Sequence, residues 1–444
     1  MNKINLNIST INILNFLIII LPLSMILGNL AINIEVILIS IIGLFYYRKS
    51  FNGLKKNKLI LLVISFFVYI ILTTLINYYL GEKTSLLKAF LFLRFLIFTI
   101  ILSFMVDNNE LRFKYLFLSC IIFSTLVSLD VIFQYHTGQN FFGYKGNDYH
   151  NSGVFAEELI SGSFIQKLLV LGIFSIYFLL ENKISSRIFI FLLLLIGTVG
   201  TIYSGNRIPV LSIFLFLVLA VFLCKEFRLP IIACLIISIV LLINLVNTNK
   251  YFESNYNSFL SNAKLLLSKI STELPKDYPE LKENTIFHNE YLKGSKVHLK
   301  YYTGGIASGH AVIYVTALDI WNDKPIIGNG IKSYRNKCTK KIHLPNRVCT
   351  SHPHHYYIEI LTDTGLIGFI LFIIFLTIII IKKLLLILNI KNNKERLMFI
   401  GLILALAIEM FPAKSTGSFF STGSAIYIFL LLGLLINLKS KIKN

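Results

Sequence analysis

Residues 355–381 read HYYIEILTDTGLIGFILFIIFLTIIII, and this run decides the fold class. About 20 predominantly apolar residues let a helix cross a lipid bilayer. The run is continuous rather than alternating in polarity, so it is not a strand of a membrane barrel. Directly before it stand Ser351, His352, Pro353 and His354. The stretch therefore predicts a membrane-spanning helix with a cluster of imidazole rings at its edge.

The same apolar character extends over the whole chain. Of its 444 residues, 55% are hydrophobic and 14% are charged, whereas a soluble domain carries about 25% charged residues. We predict twelve membrane-spanning segments: 11–28, 30–47, 59–79, 87–106, 114–134, 164–180, 188–204, 208–224, 229–247, 355–381, 397–411 and 423–438. The predicted fold class is therefore all-α: a polytopic integral membrane protein with about twelve transmembrane helices.

Lysine and arginine are concentrated in alternate short loops between these segments. Because cytoplasmic loops carry the excess of basic residues, both termini are predicted to be cytoplasmic. We accordingly divide the chain into transmembrane helices 1–9 (residues 1–247), a large, mainly helical extracytoplasmic loop (248–354) and helices 10–12 (355–444). The net charge of +20 either reflects this orientation and contact with anionic lipids, or it favours an anionic substrate such as a lipid phosphate.

His352, His354 and His355 are the first candidates for chemistry. Imidazole exchanges a proton near neutral pH, and a polar group at a membrane edge is costly unless it has partners or a task. Three interpretations are open: a metal site, a hydrogen-bonded structural pair, or acid–base and substrate-binding groups. No nearby cysteine or acid completes a metal ligand set, so we favour the last.

Basic side chains near the predicted outer face are candidates for binding an anion. Arg207 follows Ser204-Gly205-Asn206 at the start of an apolar segment. A guanidinium group grips phosphate oxygens in a two-pronged fashion; the alternative is an arginine that snorkels at a helix end. Arg94 lies inside the fourth predicted segment and should face the bundle interior or a wet cavity, in a structural or a catalytic role.

A glycine-rich turn in the large loop runs from Asp323 to Gly330 and is followed by Lys332 and Arg335. Glycine allows a close backbone approach, and exposed amides together with the two cations could hold an anion. The alternative is an ordinary turn without a ligand.

Two of the five cysteines, Cys338 and Cys349, lie in the same outer loop. Disulfides form and persist in oxidising compartments. If the outer face is oxidising, this pair is predicted to form a disulfide just before the histidine cluster; the alternative is two free thiols.

Four segments carry a resemblance to a known family: Ser204–Arg207, Asp323–Gly330, Pro353–His355 and Gly365–Gly368. They resemble, in order, an outer arginine after a serine, an Asn/Asp-x-Pro-x-x-Gly-x-Gly turn, a Pro-His-Asn motif and a Gly-Leu-x-Gly motif. Together with the twelve-span topology, this pattern is similar to the O-antigen ligase family, which also includes O-antigen polymerases and O-linked oligosaccharyltransferases. Two positions depart from it: His355 stands where the family usually has asparagine, and His310 where it commonly has arginine.

The resemblance implies a glycosyltransferase of lipopolysaccharide biosynthesis, of the GT-C type, in a bacterial inner membrane with its active site on the periplasmic side. The donor would be an undecaprenyl-diphosphate-linked glycan. The acceptor would be a lipid A-core sugar in a ligase, or another lipid-linked repeat unit in a polymerase. No metal, cofactor or nucleic acid is implied. We favour the ligase because one outer loop dominates; from another class, the alternative is a polytopic lipid or glycan transporter.

The resemblance also suggests roles for individual residues. His354 is our first choice for the general base that takes the proton of the acceptor hydroxyl, with His355 or His310 second. Arg207 is our first choice for holding the leaving diphosphate, with Lys332 and Arg335 as further candidates.

Overall fold

The computed structural model describes residues 2–81, 86–147, 149–179, 183–257, 309–341 and 347–439. Within these ranges every regular element is helical, which confirms the predicted all-α class, and the β-type pairing is a single bridge between Gln139 and Lys145. The α-helices are α1 (Asn2–Leu27), α2 (Asn29–Tyr46), α3 (Lys58–Tyr79), α4 (Leu86–Asp107), α5 (Phe113–Thr137), α6 (Ser161–Gly172), α7 (Ile176–Leu179), α8 (Lys183–Tyr203), α9 (Arg207–Leu223), α10 (Arg228–Thr248), α11 (Gly309–Asp323), α12 (Tyr334–Lys337), α13 (Tyr356–Asn389), α14 (Asn393–Glu409) and α15 (Thr422–Ile436). Short 3-10 turns cover Ser50–Lys56, Gly153–Phe155, Ile173–Ser175, Lys225–Phe227 and Cys338–Lys340.

A helix lies over each of the twelve predicted membrane segments. Among the described residues, eight helical stretches are long and apolar enough to cross a bilayer. Helices α9 and α15 are apolar but shorter, and α6 has 12 residues. The count of twelve spans and the division of the chain at residues 247 and 354 therefore stay predictions. The first part of the large loop, residues 258–308, lies outside the described ranges.

Aromatic rings hold the centre of the bundle together. Phe67 of α3 stacks on Phe92 of α4, with ring centroids 5.3 Å apart. Phe95 of α4 stacks on Phe429 of α15 at 5.9 Å. Lipid tails are as apolar as leucine, so the outward faces need no polar residues, and α5 and α10 indeed expose leucine and isoleucine side chains there. Aromatic packing inside and aliphatic faces outside are what a membrane bundle requires.

Helix α13 is interrupted at Gly365, whose backbone has φ 63° and ψ −170°. The glycine-rich turn that precedes α13 docks into this break: the Leu366 amide donates to the Pro325 carbonyl over 2.9 Å, and the Ile367 amide donates to the Ile326 carbonyl over 3.3 Å. A Cβ on Gly365 would collide with the backbone of Gly328, and the reverse also holds. Both glycines are thus explained by direct backbone contact between this turn and a membrane helix.

Candidate active site

His354 lies just before α13 with a left-handed backbone, at φ 55°. Its ring packs against His352 with centroids 4.0 Å apart, and its carbonyl accepts the Thr416 amide over 2.8 Å. A residue with a Cβ is disfavoured in this conformation, and such strain clusters at functional sites. Glycine adopts this conformation more freely than histidine does.

His355 occupies the N-cap position of α13. Its Nδ1 accepts the Ile358 amide over 3.4 Å, and its Nε2 lies 2.8 Å from the Pro412 carbonyl. A carbonyl only accepts, so the proton belongs on Nε2, and both nitrogens of the neutral ring are satisfied. Burial lowers the pKa of His355, although the Pro412 carbonyl acts in the opposite direction. The geometry therefore favours a capping role over acid–base chemistry. Asparagine, which the resembled family usually has here, is itself a preferred cap.

We expect His355→Asn to keep the stability of the protein at pH 7.5, and His355→Ala to lose about 0.5–2 kcal/mol, the usual value of a cap. Because the folded pKa of His355 is lowered, its contribution is complete above the unfolded value of about 6.5. It is lost as the pH falls through the folded pKa. Thermal unfolding from about pH 8 to 5 measures both effects. An asparagine variant that keeps the full acid sensitivity of the wild type would rule out this cap.

The glycine-rich turn does not offer its amides to a ligand. The Asn329 amide donates to the Thr362 carbonyl over 3.2 Å. The Gly330 amide donates to the Asp363 carbonyl at 2.8 Å, and the Lys332 amide to the Asp363 carboxylate at 2.6 Å. Of the two interpretations left open by the sequence, the geometry therefore favours the turn without a ligand at its amides, because these amides donate to α13.

The side chain of Lys332 interacts electrostatically with charged residues of two membrane helices. Its pKa is lowered by burial, an effect that Lys88 and Arg94 of α4 reinforce and that Glu359 and Asp363 of α13 oppose. Like His354, Lys332 has a left-handed backbone, at φ 55°. Two cations of α4 and two carboxylates of α13 therefore lie within electrostatic range of the Lys332 ammonium group. We call these five residues the cationic group, since their net charge is positive.

Arg94 belongs to the cationic group and faces the bundle, as predicted. Its guanidinium donates to the Thr422 hydroxyl over 3.1 Å and lies 4.4 Å from the centre of the Phe95 ring. Its Nε is buried and has no hydrogen-bond partner among the residues described. The sequence interpretation missed Lys88, Glu359 and Asp363. The signal was present for the two acids, because carboxylates inside an apolar segment mark functional or paired groups.

Arg207 has a different set of neighbours. It donates to the Asn255 carbonyl over 3.0 Å and interacts electrostatically with His150 and Tyr256. Gly205, at φ 75°, lets the backbone of residue 149 approach, since a Cβ would collide with it. Two of the cations grouped by sequence, Arg207 and Lys332, therefore stand among separate partners.

The remaining predicted residues are distributed as follows. Arg335 lies on α12 with an exposed side chain. His310 lies in the first turn of α11, and its side chain is outside what the structure describes. The Cys338 and Cys349 sulfurs are at bonding distance with Cα atoms 5.1 Å apart, as a disulfide requires. In the described part of the chain, no group of three or more His, Cys, Asp or Glu is arranged to hold a metal ion.

A buried ion cluster fixes the loop that carries the Thr416 amide. Glu409, 1% exposed, accepts Lys167 of α6 at 2.9 Å and Lys414 of that loop at 3.1 Å. The Tyr356 hydroxyl donates to the same carboxylate over 2.8 Å. Three helices and the loop beside His354 are thereby tied to one carboxylate.

Part of the chain matches the model of a known protein family. Residues 190–373 match the model of the family described as O-antigen ligase, and no curated protein matches the chain. This segment belongs to the O-antigen ligase family. The O-antigen ligase segment contains Arg207, Lys332 and His354, together with the paired glycines Gly328 and Gly365. It supports a membrane glycosyltransferase of the O-antigen ligase and polymerase family.

Part of the site lies outside the O-antigen ligase segment. Lys88 and Arg94 come from α4, and Glu409 and Lys414 follow the matched residues. Lys88 and Arg94 lie within electrostatic range of Lys332, and Glu409, which pairs with Lys414, accepts a hydrogen bond from Tyr356 of α13.

Proposed function

We propose that the protein transfers a glycan from an undecaprenyl-diphosphate carrier to an acceptor hydroxyl, at the outer face of a bacterial inner membrane. The acceptor we propose is a lipid A-core sugar, as in an O-antigen ligase. One observation carries the proposal: within the family segment, His354 stands at the head of α13, and Glu359 and Asp363 of that helix belong to the cationic group around Lys332. A base and fixed positive charge at one end of a membrane helix suit a lipid-linked, anionic donor.

The chemistry divides between these groups. The bond from the acceptor oxygen to the anomeric carbon forms as the bond from that carbon to the diphosphate breaks. Negative charge grows on the departing diphosphate, and preorganised cations stabilise it most where water is excluded. Lys332, Arg94 and Arg207 are the cations we assign to this task; Arg335, exposed on α12, is a weaker candidate. His354 takes the acceptor proton.

We expect Lys332→Met and Arg207→Gln each to lower the transfer rate by about 10²–10³-fold, the usual effect of removing one donor that stabilises developing charge. The assay is transfer by purified protein in proteoliposomes, from the undecaprenyl-diphosphate-linked glycan to lipid A-core. Lys340→Gln is the matched control, because Lys340 is an exposed lysine of the same loop. Equal losses in all three variants, or no loss in the first two, would contradict the assignment.

The same proposal separates ligase from polymerase in cells. Deletion of the gene for a ligase leaves unligated lipid-linked polymer, whereas loss of a polymerase leaves single repeat units on the core. Lipid-linked glycan that accumulates on the cytoplasmic face would instead indicate a transporter.

A further inference from the structure

Two buried polar atoms beside Arg207 have no hydrogen-bond partner among the residues described. They are Nδ1 of His150 and the hydroxyl of Tyr256. His150 comes from the loop before α6, and Tyr256 from the helical residues 250–257. Both side chains interact electrostatically with the Arg207 guanidinium. Buried polar groups are nearly always paired, so two unpaired atoms at one arginine indicate the place of a ligand.

We propose that His150, Tyr256 and Arg207 form a sugar-binding subsite, in which His150 Nδ1 accepts a hydrogen bond from a sugar hydroxyl and the Tyr256 phenol donates to a sugar oxygen. The subsite deepens the proposed function, on which it rests: it would hold part of the glycan that is transferred or that accepts.

The protonation of the two groups selects a hydroxyl over a phosphate. Burial lowers the pKa of His150; the Ser204 carbonyl, bonded to its ring, opposes this, and Arg207 adds to it. The neutral ring keeps its proton on Nε2 toward Ser204, so Nδ1 is a pure acceptor. The ionised diphosphate of a lipid-linked donor, esterified at both ends, offers Nδ1 only oxygen lone pairs, whereas a hydroxyl offers a proton. Burial raises the pKa of Tyr256, so its phenol stays a donor. One acceptor beside one donor matches a sugar.

Aromatic rings stand next to the pair. Tyr149 and Tyr251 meet with ring centroids 5.1 Å apart and planes at 73°. They are 49% and 39% exposed, so each ring has a surface that a ligand could reach. Tyrosine combines an apolar ring with a polar tip, so this corner can cover the C–H face of a sugar whose hydroxyls reach His150.

The test uses the purified full-length protein and two kinds of probe. One kind is the core oligosaccharide and the repeat-unit glycan of the same host, each freed of lipid and phosphate; the other is inorganic diphosphate. We expect Tyr256→Phe and His150→Gln each to weaken binding of a glycan probe about tenfold. Diphosphate affinity should stay unchanged. His150→Asn should retain most of the affinity, because its amide oxygen lies near the position of Nδ1.

Stability separates binding from a structural role. Tyr256→Phe removes only a hydroxyl without a described partner, so its thermal unfolding midpoint should stay equal or rise. His136→Asn is the control, because this exposed imidazole lies 5.5 Å from the Tyr203 ring in the same region. The proposal fails if wild type binds neither glycan, if both variants bind normally, or if diphosphate binding alone is weakened.

Binding requires no turnover, so the two proposals can fail separately. If transfer proceeds normally without His354, the proposed function falls while the subsite is still judged by glycan binding. If glycan binding ignores His150 and Tyr256 while transfer depends on His354, the subsite falls alone.

Discussion

We expect His354→Ala to lower the rate of glycan transfer by about 10²–10⁴-fold, the usual contribution of a general base. The acceptor is a neutral hydroxyl that needs a base, and the neighbouring His355 is engaged at both nitrogens as a cap. The measurement is the initial rate in proteoliposomes at saturating donor.

Two further variants show whether the side chain or the fold is responsible. His354→Gly should lose the same activity while it keeps or raises the unfolding midpoint, because glycine adopts the left-handed backbone freely. His352→Ala removes the ring that packs on His354 and should cost far less activity. A glycine variant that transfers at the wild-type rate would remove His354 from the mechanism.

The second large effect is on stability. Glu409→Ala should destabilise the protein by about 3–5 kcal/mol, because it leaves two nearly buried lysines without their counter-charge. Lys167 and Lys414 are 14% and 10% exposed, so water cannot replace the carboxylate. Denaturant or thermal unfolding in detergent measures the loss.

A surface ion pair provides the matched control for Glu409. Lys439 and Asp107 lie 2.6 Å apart, but they are 74% and 41% exposed. Asp107→Ala should therefore cost at most about 1 kcal/mol. If Glu409→Ala and Asp107→Ala lower the free energy of unfolding equally, the Glu409 ion cluster does not stabilise the loop beside His354.

Local sequence predicted the helices well, because a bilayer demands long apolar runs whatever their partners. The sequence predicted the turn at Gly328 but did not predict that this turn packs against α13. Whether a backbone amide in a turn binds a ligand or another part of the protein depends on the segment that packs against the turn. Here that segment is the helix break at Gly365, which lies later in the chain. The proximity of Lys332 to Arg94 and Lys88 could not be predicted for the same reason, since α4 is far away in the chain.

The candidate site was only partly visible for a related reason. His354 and Arg207 stand in motifs, whereas His150 is a single histidine in a polar loop with no periodicity or spacing to mark it. Its significance depends on burial and on an unpaired nitrogen, both of which are tertiary properties. His355 was visible as an imidazole, but only the geometry shows that both of its nitrogens are engaged.

In helix α13, the backbone amides of Leu366 and Ile367 donate to carbonyl groups of a loop that precedes the helix in the chain. Left unmatched in hydrocarbon, each such amide costs several kcal/mol, so the helix is not a self-sufficient span when it leaves the ribosome. The turn at residues 323–330 and the break in α13 therefore complete each other's hydrogen bonding, and we expect neither to reach its final structure before the other is in place.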